Sequence, residues 1–261
     1  MILFFKLLLT PVLIGLVTLA GRRWGPVVSG WLVGLPLTAG PVALFLALEQ
    51  GAAFESHAAE GALLGLAAVA GFTLAYGWLA MRTNWLTSIL LSWLVYILLI
   101  LAFGRLTLGL GPAFIGVILC LTVSLLILPG GKSEANGQKA PRWEIFLRML
   151  MALTLVLILT GGASLLGPQL SGLFSTFPIY GSILGAFTHR FQGPLPASRL
   201  MRGMIAGAFS TACFFTILSG LIVPLGIALA FVLASLAALG MHGVSLFLLQ
   251  RRPSKVSSSL R

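Results

Sequence analysis

"GPVVSGWLVGLPLTAGPVALFLALEQG", residues 25–51, is apolar enough to cross a membrane, yet it carries five glycines and three prolines. Proline inside a helix removes a backbone donor and bends the chain. The run therefore reads as an interrupted helix, with the break at Pro36, about 11 residues in and near the bilayer midplane.

The rest of the chain puts this stretch in a membrane. Of 261 residues, 59% are hydrophobic and 8% charged, and the mean hydropathy is +1.08, far from a soluble domain. Apolar segments at 2–20, 25–48, 61–81, 84–103, 107–129, 144–163, 167–188, 204–222 and 223–249 predict nine spans, an all-α integral membrane protein. The N-terminal run has Lys6 within it, lacks a small-residue cleavage site and closes on Arg22 and Arg23. It reads as a first span rather than a signal peptide. Cys120 and Cys213 lie in apolar runs without metal-ligand spacing and read as small core residues.

The net charge of +11 comes from cations in short loops and at the C-terminus, where membrane orientation accounts for it without nucleic acid. Nine crossings place 13 cations on one face and two, Lys6 and Arg105, on the other, with Arg148 set aside as lying within a span. The crowded face is expected to be cytoplasmic, giving N-out and C-in. If 25–48 and 167–188 were re-entrant hairpins, seven crossings would split the cations 10 to 5, a weaker bias.

The opening pattern recurs. Gly25, Pro26, Ser29, Gly30 and Pro36 return as Gly167, Pro168, Ser171, Gly172 and Pro178, each 142 positions later. Phe45, Gln50 and Gly51 match Phe187, Gln192 and Gly193 at that offset, and Lys6 falls on Arg148. Shared prolines, a glutamine and a basic residue at one offset point to an internal duplication. Five spans precede the second copy, so the copies are expected to be inverted. The organisation is 1–105 (first repeat), 106–142 (linker helix and cytoplasmic loop), 143–250 (second repeat) and 251–261 (basic tail). Loop charge agrees: Glu49, Glu55 and Glu60 of the first copy align with a stretch holding Arg199 and Arg202, and Arg22-Arg23 with Ser164-Leu165.

"FFKLLLTPVLIG" followed by "SGWLVGLPLTAG" and two further spans resembles the GlpM-like family of small four-helix bacterial membrane proteins, and "FLRMLMALTLV" with "SGLFSTFPIYGS" repeats the pattern. The resemblance covers roughly 210 of the 261 residues. It implies a location in the bacterial cytoplasmic (inner) membrane and a link to envelope polysaccharide production, and it bears on architecture more than on chemistry.

Discontinuous helices at matching places in two inverted halves are the sequence pointer to a transporter site between them. The candidate substrate-binding residues are Lys6, Ser29, Pro36, Thr38, Arg148, Ser171, Thr176, Pro178 and Tyr180. Close helix packing equally accounts for the small residues. Lys6 and Arg148, near the starts of their spans, either snorkel to headgroups or draw an anion to the two mouths of a cavity. His242 reads as a core histidine or a titrating group.

The chain has no aspartate, and its five glutamates sit in loops or at span ends, so a carboxylate relay is not expected. No catalytic set, metal site, phosphate loop or cofactor is expected either. Three functions fit: a secondary transporter or facilitator of a small anionic or amphipathic solute, a membrane scaffold for polysaccharide or lipid production, and a translocator of a phosphate-linked lipid. Membrane lipids are partners under each.

Overall fold

The computed structural model describes the backbone of residues 2–37, 39–106, 108–129, 143–163 and 168–251, and the side chains of 11–37, 39–106, 108–129, 143–154 and 172–247. Every regular element among them is an α-helix: α1 (Ile2–Trp24), α2 (Pro26–Val33), α3 (Ala39–Gln50), α4 (Ala52–Ala80), α5 (Trp85–Phe103), α6 (Leu110–Ile127), α7 (Trp143–Ala163), α8 (Pro168–Ser175), α9 (Ile179–Gln192), α10 (Pro194–Leu225) and α11 (Ile227–Arg251). Within them, α4, α5, α6, α10 and Ile227–Phe247 of α11 are long and apolar enough to cross a membrane. Leu98, Leu119 and Leu236 stand exposed on open faces, as lipid-facing residues of a membrane helix do. The protein is built as a multi-pass membrane protein.

Several boundaries repeat. Pro26 and Pro168 open α2 and α8, Ala52 and Pro194 open α4 and α10, and Trp85 and Ile227 open α5 and α11, each pair 142 positions apart. The turn before each long helix is a single glycine with positive φ, Gly51 at 92° and Gly193 at 95°. Side chains with a Cβ rarely adopt that backbone, so these glycines fix where the helices start. Sequence periodicity places the corresponding spans at 61–81 and 204–222, and both helices start earlier. After Gly51 the segment "AAFESHAAE" contains no helix breaker, and Pro194 sits in the first turn, where a missing N–H costs nothing.

The two long helices form the centre and run antiparallel. Near one end Ser56 Oγ donates to the Ser219 carbonyl at 2.9 Å. Near the other, Gly77 faces the Ser198 hydroxyl. The first helix of each broken pair lies against the long helix of the opposite half, α2 on α10 and α8 on α4, while α3 packs on α4 and α9 on α10. Contact this close demands glycine. A Cβ on Gly30 would overlap the Leu200 carbonyl, one on Gly34 the backbone of Gly207, and one on Gly203 the Val27 carbonyl. On the other side, Gly172 abuts the Ala58 carbonyl and Gly65 abuts Leu173 and Thr176.

These contacts also fix direction. Gly30 meets α10 at Leu200, Gly34 at Gly207 and Gly40 at Phe214, while Ser56, just past α3, bonds to Ser219. The stretch α2–α3 follows α10 in one sense and does not double back. From Leu200 to Ser219 α10 rises about 29 Å at 1.5 Å per residue, close to the thickness of a hydrocarbon core. The partner stretch follows α4 likewise, from Gly172 at Ala58 to Gly185 at the Tyr76 ring.

Candidate functional site

Both breaks are the same local structure. The Leu37 N–H donates to the Leu35 carbonyl at 2.7 Å, and the Ile179 N–H to the Phe177 carbonyl at 2.7 Å. Each is a three-residue turn with proline at its centre, and Pro178 has φ −76° and ψ 60°, the inverse γ-turn geometry. Helical bonding resumes just beyond, from Gly40 N–H to the Pro36 carbonyl and from Ser182 N–H to the Pro178 carbonyl.

A broken helix leaves carbonyls without N–H partners, and inside lipid each needs a substitute. Side-chain hydroxyls supply them. The Gly34 carbonyl accepts from Thr211 Oγ1 at 2.6 Å and Ser210 Oγ at 3.3 Å. The Leu173 carbonyl accepts from Thr176 Oγ1 at 2.8 Å and the Tyr96 hydroxyl at 3.1 Å. Phe177 is held between the rings of Trp93 and Tyr96, and Trp93 Nε1 donates to Ser182 Oγ at 2.8 Å.

Between the two breaks lies a cavity of about 60 Å³, bounded by Pro36 and Pro178 and floored by Leu66 of α4 and Ala208 of α10. That is room for a few waters. Its polar side chains are Ser175, Thr176, Tyr180 and Thr211, whereas the positions 142 earlier are Val33, Gly34, Thr38 and Val69. Thr38 lies outside the described residues. The described lining carries no charged side chain.

Of the residues the sequence singles out, Pro36, Thr176, Pro178 and Tyr180 meet at this cavity. Ser29 and Arg148 meet elsewhere, at a smaller cavity of about 20 Å³ between α1, α2, α7 and α9 that Arg22 and Glu144 also line. Lys6 and Ser171 lie in α1 and α8, with side chains outside the described residues.

Arg148 does not snorkel. It is buried and donates to Glu144 one turn earlier, and Arg22 donates to the same carboxylate at 3.3 Å. Glu144, in the first turn of α7 as expected of a span end, is fully buried, and Glu55, which the sequence reading leaves in a loop, is nearly so in the first turn of α4. For Glu144 the reason is its two guanidinium partners; for Glu55 it is the earlier start of α4, which carries it into the helix. His242 is a packed residue, its ring stacked on Trp31 at 3.7 Å while Trp31 Nε1 donates to Ser245. No cluster of three potential metal-ligating side chains occurs among the described residues.

Sequence reasoning missed Tyr96, Ser210 and Thr211. Their only signal is a hydroxyl in an apolar run, and Thr211 bonds to a carbonyl 177 residues away. No protein-family model, curated protein or solved structure matches the chain.

Proposed function

We propose that the chain is a secondary transporter or facilitator made of two inverted, GlpM-like four-helix copies joined by α6. It crosses a bacterial inner membrane nine times, N-out and C-in, and passes a small solute between its halves. The inverted arrangement draws support from α4 and α10. They occupy equivalent positions and run antiparallel, and two antiparallel equivalents are related by an axis perpendicular to both. In a membrane that axis lies in the bilayer plane.

The observation that carries the reading is the cavity at both proline breaks. Leu66 and Ala208, both in its lining, are themselves 142 positions apart, which supports a place for the cavity on the proposed pseudo-two-fold axis. Because no charge lines it, the solute that fits is small and amphipathic, with its polar end on Ser175, Thr176 and Tyr180 and its apolar body against Leu66 and Val69. At about 60 Å³ the cavity holds only a few waters. Passage would need the halves to rock about the glycine contacts.

The test is solute entry into proteoliposomes across a panel of small amphipathic and neutral solutes, comparing the native chain with Ser175→Phe. Faster entry that Ser175→Phe abolishes without unfolding the protein supports the reading. No entry above protein-free vesicles for any solute sinks it.

A further inference from the structure

Glu55 is a carboxyl group that the fold buries and leaves without a partner. It is 1% exposed, its Oε2 has no hydrogen-bond partner, and the ion pairs among the described residues do not include it. Of the helices packed on α4, α5, α6 and α8 carry no charged residue, and α3 carries Glu49 alone, which is exposed. α10 carries Arg199 and Arg202, next to the Ser198 that faces Gly77, about 33 Å along α4 from Glu55. On α4 itself, His57 and Glu60 pair with each other at 3.6 Å. Among the other titratable groups on these helices, Tyr96 donates to the Leu173 carbonyl, and neither Cys120 nor Cys213 bonds to Glu55. The N-terminal dipole of α4 favours an anion there, but by less than an unpaired ion costs in a dry site. A carboxyl group so placed takes up a proton instead, and an ionisable side chain within a membrane helix marks an ion pathway by default.

We propose that Glu55 is a proton-binding site that couples solute passage to proton entry, an inference that rests on passage through the central cavity. Glu55, Ala58, Ala62 and Gly65 recur at helical spacing on one face of α4. α8 follows that face: Gly172 stands against Ala58 and Ala62, and Leu173 and Thr176 stand against Gly65. Ser175, the last residue of α8, and Thr176 line the central cavity, and Leu66 of the same lining lies about 16 Å along α4 from Glu55. One half-helix thus runs from the carboxyl face to the cavity, so a proton on Glu55 and a solute at the cavity bias its position together. In the N-out arrangement α4 starts at the outer side. Glu55 takes one proton from the outer water onto its carboxylate and releases that proton inward when α8 shifts.

The test uses the full chain. Infrared difference spectra near neutral pH should show a protonated carboxyl C=O band in the native chain that Glu55→Gln lacks and Glu49→Gln keeps. In proteoliposomes with the membrane potential clamped, each panel solute that enters is then followed with the outside made more acidic by about one pH unit, and trapped pyranine reads proton entry. The native chain should accumulate solute up to about tenfold, the worth of that gradient, and acidify the lumen as it does so. Glu55→Gln should equilibrate the solute without accumulating it. The proposal is overturned, with solute passage left standing, by native entry that ignores the gradient, by a gradient response that Glu55→Gln keeps, or by the absence of the carboxyl band. No entry of any solute sinks the passage reading and the coupling with it. If Glu55→Gln does not fold, Glu55→Asp replaces it: a carboxyl band shifted in frequency assigns the proton to this position, and an unshifted band overturns the assignment.

Discussion

Gly30 stands so close to Leu200 that a Cβ would overlap the Leu200 carbonyl oxygen, with the Met204 amide nitrogen 2.9 Å away. Gly172 stands in the same relation to Ala58, with the Ala62 nitrogen at 2.8 Å. All three positions of the second set differ from those of the first by 142, in opposite senses, because each broken span leans on the other half's long helix.

These contacts meet backbone, which cannot swing aside. Gly30→Ala and Gly172→Ala should therefore each cost about 2 kcal/mol or more, seen as a lowered unfolding temperature in detergent. Gly116→Ala is the control, since nothing stands within 4 Å of a Cβ there. Equal unfolding temperatures for Gly30→Ala and Gly116→Ala would contradict the packing.

The hydroxyls at the breaks give a second prediction. Thr211→Val takes the shorter of two donors from the Gly34 carbonyl, leaving Ser210 Oγ at 3.3 Å, and Tyr96→Phe takes one of two donors from Leu173. Each should lose about 1 kcal/mol. Thr216→Val removes only a bond to its own preceding turn and should be close to neutral. The same unfolding measurement ranks the three.

Glu144 and Arg148 form a buried pair whose members depend on each other. Glu144→Gln alone should cost about 3 kcal/mol, because it takes the carboxylate from the buried Arg148 guanidinium. The double variant Glu144→Gln with Arg148→Gln should cost less than the sum of the singles. Additive losses in a double-mutant cycle would mean that the pair is not coupled.

Much of this architecture is legible in the sequence because its determinants are local. Pro36 and Pro178 cannot continue a helix, and they mark both breaks. The 142-residue offset carries the element boundaries with it. Gly51 and Gly193 were legible as a matching pair, although their role as the sole break before a long helix was not. The polar residues after Gly51 resemble a loop, and only tertiary contacts such as Ser56 with Ser219 give them a place inside the bundle. The cluster around Arg148 was half legible: Glu144 and Arg148 are spaced one helical turn apart, but Arg22 arrives from 122 residues away. That long-range partner turns a cation near the start of a span into a buried site. The hydroxyls that complete the breaks are equally non-local, and no spacing rule finds them.

The central claim is that the two halves cross the bilayer in opposite senses. His57 and Arg199 occupy equivalent positions near the starts of α4 and α10, and the His57 side chain is well exposed. With Cys120 and Cys213 replaced by alanine, single cysteines at 57 and 199 can be labelled in intact cells with a membrane-impermeant maleimide. The account predicts that Cys at 57 reacts from outside while Cys at 199 reacts only after the membrane is opened. Labelling of both from the same side would contradict it.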